Sequence, residues 1–465
     1  MSRNYDVVIV GGGPSGIFAA LELSQAKGLS VLLLERGVDI ERRRCPLLHG
    51  SEVSCLSCSP CHLVCGLGGA GAFSDGKLTI SSEVGGRIKD YVGEKRAQEV
   101  ISYVDQVYLK LGAPQELYGV GEEVEEWQRK AKFCELRLTP VPIRHVGTEN
   151  GRKLVKLTRD YLSSRIDLQL ETKATSVITE GGEAKGVETD KGERIGSRFL
   201  ILAPGREGSD WLRQEARRLG LSMDINPIDL GVRVEVPAAI MESLTSALYE
   251  PKLEFYSRRF DDRIRTFCVC PHGEVILEST GGEDPVVTVN GHSYANHDTQ
   301  NTNFALLVST TFTYPFREPI AYGKYVAHLA NLLGGVLVQR LGDLENGRRS
   351  TLERISRSSL APSLAHAVPG DLSFALPFRH LQGIMEMIYA LDKLVPGVAS
   401  PHTLLYGVEV KFYSSRLKLD GDFQTEVRNM FAVGDGAGVS RGLIQASASG
   451  VVAARKIIQE IGASK

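Results

Sequence analysis

The chain has 465 residues, of which 42% are hydrophobic and 24% are charged, the proportions of an ordinary soluble globular protein. A formal net charge of -2 provides no basic surface, so we expect neither a nucleic-acid partner nor binding to an anionic membrane. No stretch approaches the roughly 20 apolar residues that a membrane span requires. We therefore expect a cytoplasmic protein with no membrane span, whose eight cysteines are thiols or metal ligands rather than disulfides.

The first apolar run is followed by a glycine turn, a helical stretch and a second apolar run, in YDVVIVGGGPSGIFAALELSQAKGLSVLLLERG. This order predicts a βαβ unit. Gly11, Gly13 and Gly16 have G-x-G-x-x-G spacing, which suits a tight turn, a close approach to a pyrophosphate and close helix–strand packing. Glu35 ends the second run, where a carboxylate can accept both ribose hydroxyls of an adenosine. The segment therefore predicts a dinucleotide site.

A second G-x-G-x-x-G match, GLGGAG at residues 66 to 71, lacks this setting. No strand precedes it, and the following AFSDGKLTI does not continue as an amphipathic helix. We do not expect a second nucleotide site there.

Two later segments indicate which dinucleotide is bound. RFLILAPG ends in a turn at Gly205, and NMFAVGDGAGVSRGLIQASASGVVAARKI reads as a strand, a Gly-Asp turn and a helix. With the N-terminal unit they resemble the glutathione-reductase-like flavoproteins that have a single dinucleotide domain. The resemblance implies that Asp435, beside Gly434, binds a ribityl hydroxyl of FAD. It also implies that the helix start at Gly442, Leu443 and Ile444 directs backbone N–H groups at the flavin pyrimidine edge.

Nearly the whole chain resembles one largely uncharacterised family of FAD-dependent dehydrogenases, of the NAD(FAD)-utilising type. The motifs that carry this resemblance, in order, are GLGGAGAFSDGKL, PIDLGVRVEVP, RTFCVCPHGEVI, NGHSYANHDTQN, LLYGVEV and VGDGAG. It implies an α/β fold in which a Rossmann-like FAD-binding domain is assembled from both chain ends around an inserted α+β substrate domain. The expected FAD-binding residues are Gly11, Gly13, Pro14, Ser15, Gly16, Glu35, Arg36, Gly69, Ala70, Gly71, Ser74, Gly205, Gly434, Asp435, Gly442, Leu443 and Ile444.

The expected boundaries place the first part of the FAD domain at residues 1–225, the substrate domain at 226–400 and the C-terminal part of the FAD domain at 401–465. Residues 88 to 112 read as a helix, and residues 181 to 205 alternate short strands with glycine turns. No second nucleotide fold is evident in the middle of the chain, which leaves the electron donor open.

The expected substrate domain contains a polar, glycine-rich loop with several histidines, PHGEVILESTGGEDPVVTVNGHSYANHDTQN. Its candidate proton donors or substrate ligands are His292, Tyr294 and His297, although satisfied polar loop residues are the simpler interpretation. Cys268 and Cys270, one residue apart on a strand, are expected to point to opposite faces as buried small residues.

Five cysteines lie within residues 45 to 65. Four of them have C-x2-C-x2-C-x3-C spacing, as in bacterial ferredoxins, and the fifth precedes a proline as ligand cysteines there often do. This pattern predicts a [4Fe-4S] cluster close to the flavin, with the ligands Cys45, Cys55, Cys58 and Cys61. A zinc site that includes His62, a flavin-linked dithiol of Cys61 and Cys65, and simple packing are the alternatives.

The resulting functional prediction is an FAD-dependent oxidoreductase that acts on a small organic substrate and exchanges electrons through the cluster, with a ferredoxin-like protein as a candidate electron donor or acceptor. Two other functions stay open. One is a thiol–disulfide oxidoreductase that uses Cys61 and Cys65, and the other is a non-enzymatic redox sensor or electron-transfer subunit.

Overall fold

The computed structural model describes residues 3–45, 58–74, 76–224, 227–279, 286–293, 299–316, 318–412 and 416–463, with only the backbone of 3, 148, 149 and 463. Its strands are β1 Arg3–Val10, β2 Val31–Leu34, β3 Lys77–Thr79, β4 Arg137–Thr139, β5 Ile143–His145, β6 Asp167–Gln169, β7 Ala174–Glu180, β8 Glu183–Thr189, β9 Arg194–Leu202, β10 Met223–Asp224, β11 Ile228–Pro237, β12 Lys252–Tyr256, β13 Arg263–Cys270, β14 Glu274–Ser279, β15 Val287–His292, β16 Asn301–Thr310, β17 Leu337–Arg340, β18 Val368–Pro369, β19 Leu404–Lys411, β20 Arg416–Leu417 and β21 Met430–Ala432.

The α-helices are α1 Pro14–Leu23, α2 Ile88–Val92, α3 Glu94–Lys110, α4 Glu122–Phe133, α5 Thr148–Ser163, α6 Ser209–Arg218, α7 Ala238–Leu248, α8 Pro319–Leu332, α9 Leu341–Glu345, α10 Leu352–Ser356, α11 Phe378–Leu394 and α12 Leu443–Ala463. Short 3-10 helices span Ile40–Arg42, Gly69–Phe73 and Leu372–Phe374. Within the described residues, no helix is long and apolar enough to cross a membrane.

The chain divides into two compact units. The first comprises Met1–Glu116, Arg144–Asp224 and Ser414–Lys465, and the second comprises Leu117–Ile143 and Ile225–Tyr413. The predicted α/β class, with a Rossmann-like domain built from both chain ends around an inserted domain, is confirmed. The predicted boundaries differ from the units at two points, since Leu117–Ile143 lies in the second unit and the second unit continues past residue 400 to Tyr413.

The first unit is built on a sheet with the order β6-β2-β1-β9-β8-β7, in which β21 also pairs with β9. The pairs that join β6, β2, β1, β9 and β21 are parallel. The strands at their centre read as continuous apolar runs because both faces are covered, and Val7, Val8 and Ile9 are fully buried. The strands β7, β8 and β9 form an antiparallel meander.

The second unit has an eight-stranded sheet with the order β18-β17-β19-β11-β16-β13-β12-β4, as far as the described residues show. Its central strands β19, β11, β16 and β13 are antiparallel. Apolar residues of α4, α7, α8 and α11 share the core of this sheet, for example Met241, Leu244, Ile384 and Met387. A separate hairpin joins β14 and β15.

The predicted helix over residues 88 to 112 is wrong in one respect. The structure divides it into α2 and α3 at Gly93, whose φ of 79° lies in the left-handed region that favours glycine. Glycine therefore ends one helix and begins the next, although the apolar pattern runs across the break.

Candidate cofactor site

The turn between β1 and α1 has the backbone that a dinucleotide site requires. Gly11 has a φ of 109° and donates its N–H to Leu34 O at 2.8 Å, so the turn is fixed to the end of β2. A Cβ atom at Gly16 would collide with the backbone oxygen of Gly11, so only glycine lets α1 begin this close to the turn. Pro14 occupies the first helical position, and α1 directs its free N–H groups toward the turn.

Glu35 ties this turn to the chain that follows β2. Its Oε2 accepts the N–H of Gly12 at 2.8 Å, and its Oε1 accepts the N–H groups of Gly37 at 2.8 Å and Gly66 at 3.0 Å. The side chain is buried. A carboxylate offers about four acceptor positions, so one remains on Oε2 for a ligand. Glu35 therefore has a structural role that the sequence pattern alone did not reveal.

The second glycine loop lies directly on the first. Gly68 donates its N–H to Gly12 O at 2.8 Å, and a Cβ atom at Gly69 would lie 3.0 Å from the Cα of Gly13. The loop continues as the 3-10 helix Gly69–Phe73, in which Ala70 lies, and Ser74 closes it by donating its hydroxyl to Gly71 O at 2.9 Å. The described part of this loop is thus 3-10 helical, and the expectation that GLGGAG binds no second nucleotide stays a prediction.

The C-terminal segment completes the same region of the first unit. A Cβ atom at Gly71 would lie 2.6 Å from Leu443 and 3.2 Å from Pro14, so the start of α12 contacts both glycine segments. A Cβ atom at Gly434 would collide with the Ser15 hydroxyl. The two chain ends therefore meet at the N-terminus of α1.

Three more of the predicted residues flank this meeting point. Gly205 lies close to Gly436, since a Cβ atom added at Gly436 would collide with the backbone oxygen of Gly205. Gly442 accepts the N–H of Ala446 at 3.0 Å in the first turn of α12. Ile444, by contrast, is buried in the core, so it can contribute only its backbone to a ligand.

Asp435 is held by an arginine that the sequence analysis did not identify. Its Oδ2 accepts hydrogen bonds from Arg206 Nε at 3.1 Å and Nη2 at 3.0 Å. Among the described residues, Oδ1 has no hydrogen-bond partner. One oxygen of Asp435 is therefore oriented by Arg206, while the other could accept a hydroxyl.

Arg36 contacts the cysteine segment. Its Nη2 and Nε lie 2.6 and 3.2 Å from the Cys65 sulfur, and Nη2 also donates to Glu207 at 3.0 Å. Burial raises the pKa of the Cys65 thiol, and the Arg36 guanidinium opposes part of that rise. Arg36 thus binds Cys65 and Glu207 through Nε and Nη2, while its Nη1 has no hydrogen-bond partner among the described residues.

Arg43 is a second arginine in this region, after Arg206, that the sequence pattern did not reveal. It is completely buried and donates to a set of backbone carbonyls at 2.8–2.9 Å, those of His62, Leu63, Leu67 and Gly69. Burial lowers its pKa to about 10, while Glu35 acts in the opposite direction. An internal arginine therefore fixes the second glycine loop. A charged residue inside a polar run such as ERRRC carries no signal that distinguishes it from a surface residue.

The described cysteines do not form the predicted metal site. No group of three or more His, Cys, Asp or Glu side chains in the described part of the chain could hold a metal ion. Cys45 and Cys61 are half-buried and Cys58 is exposed, whereas Cys55 lies outside the described residues. His62 Nδ1 lies 3.0 Å from Arg44 O, so that nitrogen is occupied by the backbone.

The candidate catalytic residues lie in the second unit. His292 is the last residue of β15, is half-buried and pairs with Glu274 of β14. Tyr294 and His297 lie outside the described residues. Their catalytic role stays a prediction.

Comparison with known proteins gives one family match, to "FAD-dependent protein, C-terminal domain-like", over residues 227–412. An uncharacterised protein of Clostridium beijerinckii is 28% identical over 484 residues, covering 98% of this chain and 81% of that protein. Pyridoxine 4-oxidase from Mesorbium loti covers 97% of this chain and 99% of its own, with 14% identity and a TM-score of 0.45. L-proline dehydrogenase from P. horikoshii covers 99% and 95%, with 12% identity and a TM-score of 0.42. We base no functional argument on structural similarities this weak.

The family match bears on the enzyme class. It supports FAD as the cofactor. The prediction of an FAD-dependent oxidoreductase is confirmed at this level. The match does not extend to the narrower glutathione-reductase-like subgroup, to a substrate or to an iron–sulfur cluster.

Proposed function

We propose that FAD binds at the two glycine segments of the first unit and that the protein catalyses two-electron oxidation or reduction of a C=C or C–N bond in a small organic molecule. The observation that carries this proposal is the meeting of the β1–α1 turn, the second glycine loop and the start of α12 in one region. When bound, FAD would supply hydride transfer at its flavin ring.

The glycine turn would hold the pyrophosphate. Gly11, Gly13 and Gly16 have no side chains, so a pyrophosphate could approach the backbone of the turn closely. The N-terminus of α1 offers N–H groups and the positive end of the helix dipole. Since Glu35 already accepts three backbone N–H groups, it can take one ribose hydroxyl rather than the two that its position in the motif suggests. The fit to an adenosine is therefore retained, with fewer bonds from this carboxylate.

The C-terminal residues would hold the other half of the cofactor. Arg206 orients Asp435, whose Oδ1 could then accept a ribityl hydroxyl. The backbone N–H groups at the N-terminus of α12, at Gly442 and Leu443, would stabilise negative charge on the pyrimidine edge of the flavin. Proton transfer to or from substrate is assigned to His292, Tyr294 and His297 of the second unit, on the sequence pattern alone.

Identification of the released cofactor tests this proposal. Acid should release about one FAD per chain from protein purified without added flavin. Gly16→Ala should weaken FAD binding at least tenfold, because its Cβ would displace the turn. Gly462→Ala is the matched control, since it also adds a Cβ to a helical glycine but meets no neighbouring atom within 4 Å. Recovery of FMN, NAD or no nucleotide from folded wild-type protein would contradict the proposal, whatever the variants do.

The predicted iron–sulfur cluster is a separate proposal that is supported only by the spacing of Cys45, Cys55, Cys58 and Cys61. We derive no step of the reaction from it, because the described cysteines do not form a metal site. Iron analysis of protein purified without oxygen tests it. Cys45→Ala should lose iron as fully as Cys58→Ala, while Cys65→Ala should keep it. Zinc in place of iron, or no metal in the wild type, would reject the cluster and with it a ferredoxin-like partner.

A further inference from the structure

Cys268 and Cys270 lie side by side on β13 of the second unit. The prediction that they point to opposite faces is wrong, because residues two positions apart in a strand lie on the same face. The pairing of β13 with β16 also shifts between Phe267 and Cys270, and Cys268 has a φ of 45°, so the strand is bulged at this point. The two sulfurs lie 3.8 Å apart.

The bulge is held by a buried arginine. Arg233 donates to Cys268 O at 2.9 Å and to Asn303 Oδ1 at 2.9 Å, and its remaining nitrogens bind Glu409 at 2.8 and 3.0 Å. Gly291 leaves room for this guanidinium, since a Cβ atom there would collide with it. The left-handed conformation of Cys268, which is costly for a residue with a side chain, is thus fixed by its surroundings.

The same arginine places positive charge beside the sulfurs. Burial by itself would lower the pKa of Arg233. Glu409 and Cys268, with a smaller contribution from Cys270, outweigh burial and raise that pKa. A guanidinium near a thiol favours the thiolate, which is the nucleophilic form of cysteine.

The two thiols differ in access. Cys268 is half-buried, whereas Cys270 is fully buried. This is the arrangement of an attacking and a resolving cysteine, since only the first can meet a reagent from solvent. The sulfurs need to approach by only about 1.8 Å to reach the bond length of a disulfide.

We infer that Cys268 and Cys270 form a redox-active dithiol that reduces a small organic disulfide. Cys268 thiolate attacks one sulfur of the disulfide RSSR, which forms a mixed disulfide and releases the first RSH. Cys270 then loses its proton and attacks Cys268 Sγ, which forms the Cys268–Cys270 disulfide and releases the second RSH. Overall, two protein thiols are oxidised by two electrons, and one RSSR becomes two RSH.

The experiment uses oxidised glutathione as the probe on the full-length protein with any cofactor retained. Protein is reduced, freed of reductant under anaerobic conditions, exposed to the probe, quenched with an alkylating agent and digested. We expect the wild-type peptide that contains both cysteines to lose two hydrogens and to take up no alkyl groups at these positions. Dithiothreitol should restore both thiols.

Variants separate the two roles. Cys270→Ser should retain one glutathione on Cys268, and Cys268→Ser should leave Cys270 as a thiol. Cys134→Ser is the matched control, because it removes another buried cysteine of the second unit and should behave as wild type. Far-UV circular dichroism and thermal unfolding check that each variant is folded.

Several outcomes would overturn the inference. Full alkylation of both cysteines in probe-treated wild type would show that no disulfide forms, and this result does not depend on any variant. Glutathione captured on Cys270 in Cys268→Ser would reverse the order of access. A metal bound to the two sulfurs of the purified protein, with neither thiol oxidisable, would replace the redox role with a metal-binding one. A protein without FAD that still forms the disulfide would leave this inference intact.

Discussion

At the scale of single residues, the site depends on side chains whose roles the sequence only partly indicates. The carboxylate of Glu35 was predicted from its place after β2, yet most of its hydrogen-bonding capacity serves backbone amides. Arg43 was not predicted at all, although it is the internal support of the second glycine loop. A motif specifies which residue type a ligand needs, but tertiary contacts decide what else that residue must do.

The first prediction concerns Arg43. Arg43→Met would leave several buried carbonyls without donors, so we expect the free energy of unfolding to fall by about 2–4 kcal/mol. Urea unfolding followed by circular dichroism measures this change.

Arg42→Ala is the matched control for Arg43→Met, because Arg42 pairs with Glu171 at the surface. Its effect should stay below about 1 kcal/mol. Equal effects of the two substitutions would show that the contacts of Arg43 do not stabilise the loop.

At the scale of elements, predictions from periodicity were correct where backbone geometry is regular and wrong where it is not. The first apolar runs and the stretch between them formed the expected βαβ unit as β1, α1 and β2. The break at Gly93 and the bulge in β13 were missed, because both depend on local φ angles rather than on which residues are apolar. The proximity of Cys268 and Cys270 was missed for another reason, since residues two positions apart in a strand lie on the same face.

The second prediction concerns the packing of α11 against β16. His380 Nε2 lies 2.9 Å from Thr310 Oγ1, and its buried Nδ1 has no hydrogen-bond partner in the described structure. Burial lowers the pKa of His380 to about 4, with Asp262 opposing the shift and Arg379 adding to it.

The effect of pH on stability follows from this shift. Between pH 4 and 6.5 the unfolded chain binds a proton at His380 that the folded protein does not, so stability is complete above about pH 6.5 and is lost as the pH falls toward 4. The total loss from this residue is about 3 kcal/mol.

Substitution of His380 tests the origin of the pH dependence. His380→Gln should flatten the dependence of the unfolding free energy on pH in this window, measured by chemical denaturation at several pH values. His366→Gln should leave the dependence unchanged, because His366 is exposed. An unchanged slope in His380→Gln would mean that His380 is protonated in the folded protein.

At the scale of the whole molecule, the sequence predicted the return of the chain to the first unit but not every boundary. Fingerprints at residues 11–16 and 434–444 lie at opposite ends of the chain, so one domain had to be assembled from both. Residues 117–143 carry no motif, and their membership of the second unit follows from the pairing of β4 with β12, which sequence cannot show.

The third prediction follows from the architecture of the second unit. A dinucleotide domain needs parallel strands joined through a glycine turn and a helix. In the sheet of this unit, as described, the only parallel pair joins β17 and the two-residue β18, and the central strands are antiparallel. This sheet therefore offers no second site of the dinucleotide type, and we expect NADH and NADPH to be poor direct reductants of bound flavin.

Anaerobic mixing tests this expectation. Protein with bound FAD is combined with NADH or NADPH in a stopped-flow instrument while the flavin absorption band is followed. Bleaching should take minutes with either nucleotide, and dithionite should bleach the same sample completely, which shows that the flavin is reducible. Bleaching within milliseconds would contradict the prediction, because it would require a nicotinamide site that is built without a second βαβ unit.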